Sequence, residues 1–258
     1  MKKSVLALAV VLLALVIFML SSCSYTGYSY RDSEKYSVGD ASLESKITEL
    51  DIDWIAGEVE INCHDKNTVD ISEQSSTELD EDKQLHYFLD DAVLYIKYAK
   101  SGTLRTTPDK KLVINLPSAL VSMLKITTVS ADINILNAPA GVNVSEIETV
   151  SGNVKIKNSS LKKLEIETVS GNIDAAISLS DYDIEIESVS GEISLKLPEK
   201  ESFLMSFESV SGKLNTSIPL TSKGGSYAYG AQGQGSNNSR IDIETTSGDL
   251  ELLLNNSL

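Results

Sequence analysis

The chain has few of the residues from which most enzyme and metal sites are built. Its 258 residues include two cysteines, two histidines and one tryptophan. The histidines are His64 and His86, and arginine occurs only at Arg31, Arg105 and Arg240. With so few imidazoles and thiols, a zinc site of the usual composition is not expected. A serine nucleophile would also have only those two histidines to serve as its base.

Positive charge is scarce as well. Lysine and arginine together number 22, against 37 aspartates and glutamates, and the formal net charge is −15 at pH 7. An anionic protein of this size is a poor candidate for binding nucleic acid or bare anionic lipid, because phosphate groups repel it. No nucleic-acid partner is therefore expected.

The N-terminus predicts a lipoprotein signal peptide over residues 1–22. Two lysines precede an uncharged apolar run over residues 5–20, and the tetrapeptide LSSC at residues 20–23 looks like a bacterial lipobox. An uncleaved anchor or an ordinary signal peptide is the alternative, but the run is shorter than the ~20 residues of a usual span. Cleavage would leave lipid, palmitate included, on Cys23. We expect a lipid-anchored protein on the extracytoplasmic face of a bacterial membrane, either the cell membrane or an outer membrane.

One short pattern recurs through the second half of the chain: Val or Thr, then Ser-Gly, then a strand-like segment. The first four copies are 19, 20 and 21 residues apart, and the fifth follows after 36. A fixed period of this size marks a repeat architecture. Including a related Ser-Ala copy, the serines of the pattern are Ser130, Ser151, Ser170, Ser190, Ser211 and Ser247.

Apolar residues stand at the same places on both sides of each serine. Ile147 lies four residues before Ser151, and Val154 and Ile156 lie three and five after it, with polar residues between. This alternation predicts a strand, a turn and a strand in each repeat, with one face buried. The glycine is expected to supply a positive φ at the corner. A degenerate copy over residues 52–61 starts the array near residue 47.

The repeats predict an all-β protein. In a β-solenoid, which resembles a parallel β-helix, each repeat of ~20 residues is one coil, and equivalent residues stack on the next coil. In the alternative, a β-sandwich of short strands, the strands pair antiparallel and equivalent residues need not align. Near-constant repeat length and identical residues at identical phase favour the solenoid.

The rest of the chain divides into two parts. Residues 23–45, which begin with the lipidated cysteine, are polar and rich in Tyr and Ser, and they predict a flexible tether. Residues 46–258 predict a single β-repeat domain, with a hairpin over residues 85–99. Residues 222–239 are rich in Gly, Ser, Asn and Gln and predict a loop inserted into one coil.

Acidic residues recur three and five positions before the serine. On stacked coils they would form two adjacent carboxylate columns on the solvent face, in which neighbours about 5 Å apart repel. Bridging Ca²⁺ is one hypothesis and a solvated face that keeps the protein soluble is the other; no other cofactor is expected. The first column is Glu148, Glu167, Glu187, Glu208 and Glu244, and the second is Glu146, Glu165, Glu185 and Asp242.

Three further features suggest chemistry or binding. The serine column is expected to close turns by bonding to backbone rather than to supply nucleophiles. Cys63-His64-Asp65 joins three catalytic residue types, but neighbours on a strand point to opposite faces, so a free thiol at a strand end is expected. Tyrosines offer surfaces for a glycan or protein partner in the loop, and in the tether unless it is disordered. They are Tyr25, Tyr28, Tyr30 and Tyr36 in the tether, and Tyr227 and Tyr229 in the loop.

Four segments carry a family resemblance. They are LDIDW at residues 50–54 with Gly57, LVINLP at residues 112–117, the repeated TVSGN, and IETTSGDL at residues 243–250. Over about residues 45–254 the chain resembles the DUF4097 family of β-strand-repeat proteins, also called "putative adhesins". The resemblance implies a β-helix-like fold in bacterial envelope proteins, sometimes beside envelope-stress regulators. It implies no catalytic residues.

The sequence therefore predicts a non-catalytic lipoprotein whose ectodomain is an adhesin-like or envelope-associated binding module, with an unidentified protein or glycan partner. We do not expect an enzyme. A polysaccharide lyase or hydrolase on the same scaffold is the first alternative, which would need clustered carboxylates with Ca²⁺ or arginine, or an acid–base pair. An accessory or sensor protein of an envelope-stress signalling system is the second.

Overall fold

A computed structural model describes residues 28–44, 46–102, 108–118, 121–136, 142–159, 161–178, 181–199, 202–223, 226–229 and 239–255. In these ranges the regular structure is strand, apart from two 3₁₀ turns at Ser33–Lys35 and Glu81–Lys83. None of these ranges contains a helix long and apolar enough to cross a membrane. Cys23 and Tyr25 lie outside the described residues, so lipidation stays a prediction.

Twenty-two strands are present in the described ranges. In chain order they are β1 (Ser37–Val38), β2 (Ala41–Leu43), β3 (Glu49–Trp54), β4 (Gly57–His64), β5 (Val69–Ser75), β6 (His86–Asp90), β7 (Val93–Lys97), β8 (Lys110–Pro117), β9 (Met123–Thr128), β10 (Asp132–Ile135), β11 (Val144–Thr149), β12 (Val154–Ser159), β13 (Lys163–Thr168), β14 (Ile173–Ile177), β15 (Asp183–Ser188), β16 (Ile193–Pro198), β17 (Phe203–Ser209), β18 (Leu214–Thr216), β19 (Thr221–Lys223), β20 (Ser226–Tyr229), β21 (Ser239–Thr245) and β22 (Leu250–Asn255).

The strands form two long sheets that enclose one core. Sheet A has the order β1-β6-β7-β3-β9-β11-β13-β15-β21-β17-β20-β19, and sheet B has the order β18-β22-β16-β14-β12-β10-β4-β8-β5-β2. We call a coil a strand of sheet A together with the strand of sheet B that follows it in the chain. The coils run along the stack as β7/β8, β3/β4, β9/β10, β11/β12, β13/β14, β15/β16, β21/β22 and β17/β18.

Parallel pairing of equivalent residues confirms the solenoid and excludes the sandwich of antiparallel strands. Ile147 is the register partner of Ile126 on one side and of Ile166 on the other, and Ile186 follows Ile166. All four side chains are buried. Each buried isoleucine contributes about 1.5–3 kcal/mol relative to an exposed one, so the alternation directs this column into the core.

The order of the coils differs from the order of the repeats in the chain. The last coil, β21/β22, pairs with β15/β16 on one side and with β17/β18 on the other. At the opposite end, β3/β4 lies between β7/β8 and β9/β10. The coils have the same pitch and carry apolar residues at equivalent positions, so the repeat pattern is compatible with any order and does not select one.

The positive φ predicted for the corner glycines is found at two of them, and the others are required for a different reason. Among the corner glycines only Gly57 and Gly191 have a positive φ, 90° and 130°. At Gly152, Gly171 and Gly248 an added Cβ would instead fall well inside van der Waals contact with the carbonyl oxygen of the neighbouring coil's corner. The glycine is present because backbones of successive coils approach too closely there for any side chain.

Antiparallel strands cover the ends of the stack. At the N-terminal end β6 and β1 continue sheet A, and β5 and β2 continue sheet B. The β6–β7 pair is the hairpin predicted over residues 85–99. At the other end β20 and β19 extend sheet A beyond β17. Such caps protect the parallel stack from further strand pairing.

Candidate functional site

The serine hydroxyls bond to backbone, as predicted, but they join neighbouring coils and do not close their own turns. Each serine Oγ donates to the backbone carbonyl of the preceding coil in the stack, and each of these distances is 3.3 Å. Ser247 bonds to Val189 and Ser211 bonds to Thr246, which follows the order of the coils in the stack and not their order in the chain. The serine hydroxyls therefore donate their hydrogen bonds to backbone carbonyls that hold neighbouring coils together.

Two further ladders at the corner were missed by the sequence analysis. Two residues before the serine, a buried hydroxyl accepts from the corner glycine N–H, as from Gly171 to Thr168 at 3.0 Å. Two residues after it, a side-chain oxygen accepts from the backbone of the next coil, as from Asn172 to Asn153 at 3.2 Å. The sequence carried a signal for both ladders, because Thr or Ser stands two residues before the serine in every copy, and Asn or Asp stands two residues after it in most copies.

The predicted carboxylate columns exist and lie on the outer face of sheet A. Glu167 is the register partner of Glu148 and Glu187, and Glu244 lies between Glu187 and Glu208. The second column runs beside it in the same strands. We call this surface the acidic face: Glu148, Glu167, Glu187, Glu244 and Glu208, with Glu146, Glu165, Glu185 and Asp242.

Burial and mutual repulsion raise the pKa values along the middle of the acidic face. Burial raises the pKa of Glu187 from 4.5 to about 7, with further increases from Glu167 and Glu244. The pKa of Glu167 is also raised, by burial and then by Glu148. The proton therefore binds this face more tightly than it binds an isolated glutamate, because it removes repulsion between like charges.

Basic residues lie at the flanks of the acidic face. Lys125 has its Nζ 3.8 Å from Glu146 and 3.7 Å from Glu148, at the end nearest the N-terminus. Lys163 pairs with Glu165 at 2.8 Å, and Arg240 pairs with Asp242. These contacts offset part of the charge of Glu146, Glu148, Glu165 and Asp242, and no ion pair of this kind is found for Glu167, Glu187 or Glu244 among the described residues.

The Ca²⁺ hypothesis receives no geometric support. Among the described residues no three His, Cys, Asp or Glu side chains converge closely enough to hold a metal ion. The carboxylates of each column follow one another along the stack at the strand spacing, which is a line and not a cage. Cation binding by the acidic face stays a prediction.

The predicted tether is folded from Tyr28 onward. Tyr30 and Tyr36 have ring centroids 4.7 Å apart, and Tyr36 lies 5.5 Å from Phe88, which faces Tyr95 at 6.5 Å. Burial raises the pKa values of Tyr30 and Tyr36 to about 12. The segment is ordered because the rings of Tyr30 and Tyr36 pack with Phe88 and are partly removed from water. The polar composition of the segment gave no indication of this packing.

A buried ion pair holds the N-terminal cap. Lys110 Nζ contacts the carboxylate of Glu73 on β5 and donates to the carbonyl of Lys83 at 2.6 Å. The ammonium also lies over the rings of Trp54 and Tyr98, at 4.9 and 4.3 Å from their centroids. Burial lowers the pKa of Lys110 and raises that of Glu73. The pair is a structural contact, since it is enclosed by core residues.

The loop tyrosines are not displayed as predicted. Tyr229 is the register partner of Phe203, and Tyr227 is the partner of Met205. Phe203 and Met205 are buried, and both tyrosines are half-buried against the same core. The strand alternation of β20 points these rings inward, where they cover the C-terminal end of the stack. The remainder of the Gly-rich segment, residues 224–225 and 230–238, lies outside the described residues.

Cys63 and His64 do not converge on a catalytic arrangement with Asp65. Cys63 is a partly buried free thiol, and burial raises its pKa. His64 turns to Asp70, with 3.7 Å between Nδ1 and Oδ2, and its Nε2 lies 2.7 Å from the Thr68 carbonyl oxygen. A thiol with a raised pKa is a weak nucleophile at neutral pH.

The stacked parallel coils and corner ladders define a β-solenoid that carries a charged face. The chain belongs to the DUF4097 family: the family model described as "Toastrack DUF4097" matches residues 44–253. No curated protein sequence matches it.

Three solved structures are similar to this chain at low sequence identity. A "putative cell adhesion protein" from Clostridium sporogenes is 17% identical with a TM-score of 0.49, and the alignment covers 86% of this chain and 99% of that one. A "putative adhesin" from Bacteroides fragilis is 13% identical with a TM-score of 0.43, covering 85% and 98%. A "Putative lipid binding protein" from Parabacteroides distasonis is 13% identical with a TM-score of 0.36, covering 83% and 97%.

Proposed function

We propose that the protein is a non-catalytic, lipid-anchored binding module of the bacterial cell envelope, and that the acidic face is its contact surface. The observation that carries the proposal is the in-register alignment of Glu167, Glu187 and Glu244 on one outward face. Burial first, and neighbouring carboxylates second, raise the pKa values of these three glutamates, so that keeping them ionised in the free protein costs free energy. A basic partner surface would relieve that repulsion on binding.

The serine ladder supports the non-catalytic part of the proposal. The repeated hydroxyls, which are the most numerous nucleophile candidates, each donate to a backbone carbonyl 3.3 Å away. A polymer-degradation screen on the purified protein tests this part. Turnover of a polysaccharide that one point substitution abolishes would contradict it and favour the carbohydrate-active enzyme.

Partner capture from envelope fractions tests the contact surface. We expect Glu167→Gln, Glu187→Gln and Glu244→Gln together to reduce capture of partners at least tenfold, and added salt to weaken capture by the unchanged protein. A matched control changes Glu192, Glu199 and Glu251, three exposed glutamates elsewhere on the solenoid. Equal loss from both triple variants would contradict a specific contact at the acidic face.

The anchor has its own test. We expect the unchanged protein to sediment with membranes and to carry lipid detectable by mass on the peptide that begins at Cys23. The Cys23→Ser variant should leave the membrane fraction. Sedimentation that does not depend on Cys23 would contradict lipid anchoring at this residue.

A further inference from the structure

The position of the N-terminal segment limits how the solenoid can stand on a membrane. The backbone N–H of Tyr98 donates to the Tyr28 hydroxyl at 3.1 Å, and Gly102 N–H donates to the Tyr28 carbonyl at 2.7 Å. The N–H of Tyr30 donates to Ser101 Oγ at 3.0 Å. These contacts and the ring cluster with Tyr36 hold the segment beside β7, near the N-terminal end of the stack.

The chain between the proposed lipid and this docked segment is short. Five residue steps separate Cys23 from Tyr28. Whatever conformation they adopt, they span at most ~18 Å, because a fully extended chain advances no more than ~3.6 Å per residue. A tether that extended to residue 45 would reach ~79 Å and leave the orientation of the stack free.

We propose that the N-terminal end of the coil stack is the membrane-proximal end and that the C-terminal end projects away from the bilayer. This inference rests on the proposed lipid anchor at Cys23. The partner of the docked end is the lipid surface itself. Between β5 and β18 of sheet B lie eight strand steps, so the two ends differ in height by up to ~38 Å.

The charge on the long faces opposes a stack that lies flat. If sheet A faced the bilayer, the acidic face would meet anionic headgroups, which repel carboxylates. If sheet B faced it, residues 23–27 would have to lead from the contacts of Tyr28, just beyond the end of β7, around the edge of the stack. The sheets are ~10 Å apart, and with side chains on both faces this path would use much of the ~18 Å that five residues can span.

Energy transfer to labelled lipid headgroups tests the orientation. The lipidated full chain with Cys63→Ser receives a donor at Gln74→Cys on β5 or at Asn215→Cys on β18, both exposed positions of sheet B. On vesicles with acceptor headgroups we expect at least twofold higher transfer efficiency from position 74 than from position 215. Equal efficiencies, or the reverse order, would overturn the proposal.

A second pair of variants tests whether the docked segment sets the orientation. Tyr28→Ala with Tyr36→Ala should release the segment and make the two efficiencies equal, while the far-ultraviolet spectrum stays unchanged. Ser29→Ala, at an exposed position in the same segment, should leave the difference intact. A difference that survives in the double tyrosine variant would overturn the role of the segment.

Failure of the anchor and failure of the orientation give different results. If the lipid anchor is wrong, the protein does not remain with the vesicles and neither position transfers energy. If only the orientation is wrong, the protein remains bound and the two positions transfer equally.

Discussion

Glu187 and Glu244 are register partners on the parallel strands β15 and β21, although a complete coil and the Gly-rich segment separate them in the chain. The pairing sets two carboxylates side by side, and it exists only because the last coil lies between β15/β16 and β17/β18. It therefore links the topology of the stack to the electrostatics of the acidic face.

Glu187 should contribute an increase in the free energy of unfolding as the pH falls from 8 to 5. The folded protein holds a proton on Glu187 up to about pH 7, whereas the unfolded chain releases it near 4.5. In that window the folded state binds more protons, so lowering the pH favours it. We expect a gain of about 1 kcal/mol from this group after solvent screening of a half-exposed carboxylate, measured by urea unfolding at both pH values.

Substitution of Glu187 measures the contribution of this residue to the pH dependence. Glu187→Gln should stabilise the protein at pH 8 by about 1 kcal/mol and reduce the pH dependence. Glu251→Gln is the matched control, because the register partners of Glu251 are the uncharged Ser194 and Asn215. A pH dependence that is unchanged in Glu187→Gln would contradict the proposed repulsion.

Replacement of a corner glycine should be severe even without a positive φ. In Gly171→Ala the new Cβ would overlap the carbonyl of Gly152, so the neighbouring coils must separate. We expect a loss of 3 kcal/mol or more, about the upper range for single substitutions. Gly102→Ala is the control: its φ is +84° but nothing lies near its Cβ, so about 1 kcal/mol is expected. If both variants lower the stability in thermal unfolding equally, the close approach of neighbouring coils is not the cause.

Substitution of the buried Lys110 should lower the free energy of unfolding far more than substitution of Lys111. Lys110→Met leaves Glu73 without its partner ammonium, for which about 3 kcal/mol is a usual loss. Lys111→Met removes outward-facing pairs with Glu58 and Glu60 and should cost less than about 1 kcal/mol. The double variant Lys110→Met, Glu73→Gln should recover part of the loss, as chemical denaturation will show.

Divalent cations should stabilise the protein without selectivity. They screen the acidic face, but its carboxylates form lines and not a coordination cage. At equal millimolar concentrations we expect Ca²⁺ and Mg²⁺ to raise the melting temperature equally, and a chelator to leave the metal-free protein unchanged. A rise specific to Ca²⁺ would instead support the bridging hypothesis.

The sequence was sufficient to predict those properties that repeat in every coil. The phases of Ile147 and Ser151 predicted the buried face and the corner, and the phase of Glu167 predicted the carboxylate columns. The sequence did not predict the order of the coils in the stack, since the edge of a sheet can pair with any coil of the same pitch. It also failed where long-range packing overrides composition, as for Tyr36 against Phe88.

Disulfide cross-linking across the acidic face tests the coil order most directly. The native cysteines are first removed by Cys23→Ser and Cys63→Ser. Register partners on adjacent coils lie about 4.8 Å apart, which is within the range of a disulfide, whereas equivalent residues two coils apart are too distant to form one. We expect Glu187→Cys with Glu244→Cys to form an intramolecular disulfide, and Glu187→Cys with Glu208→Cys to form none. A cross-link between positions 187 and 208, with none between 187 and 244, would contradict this coil order.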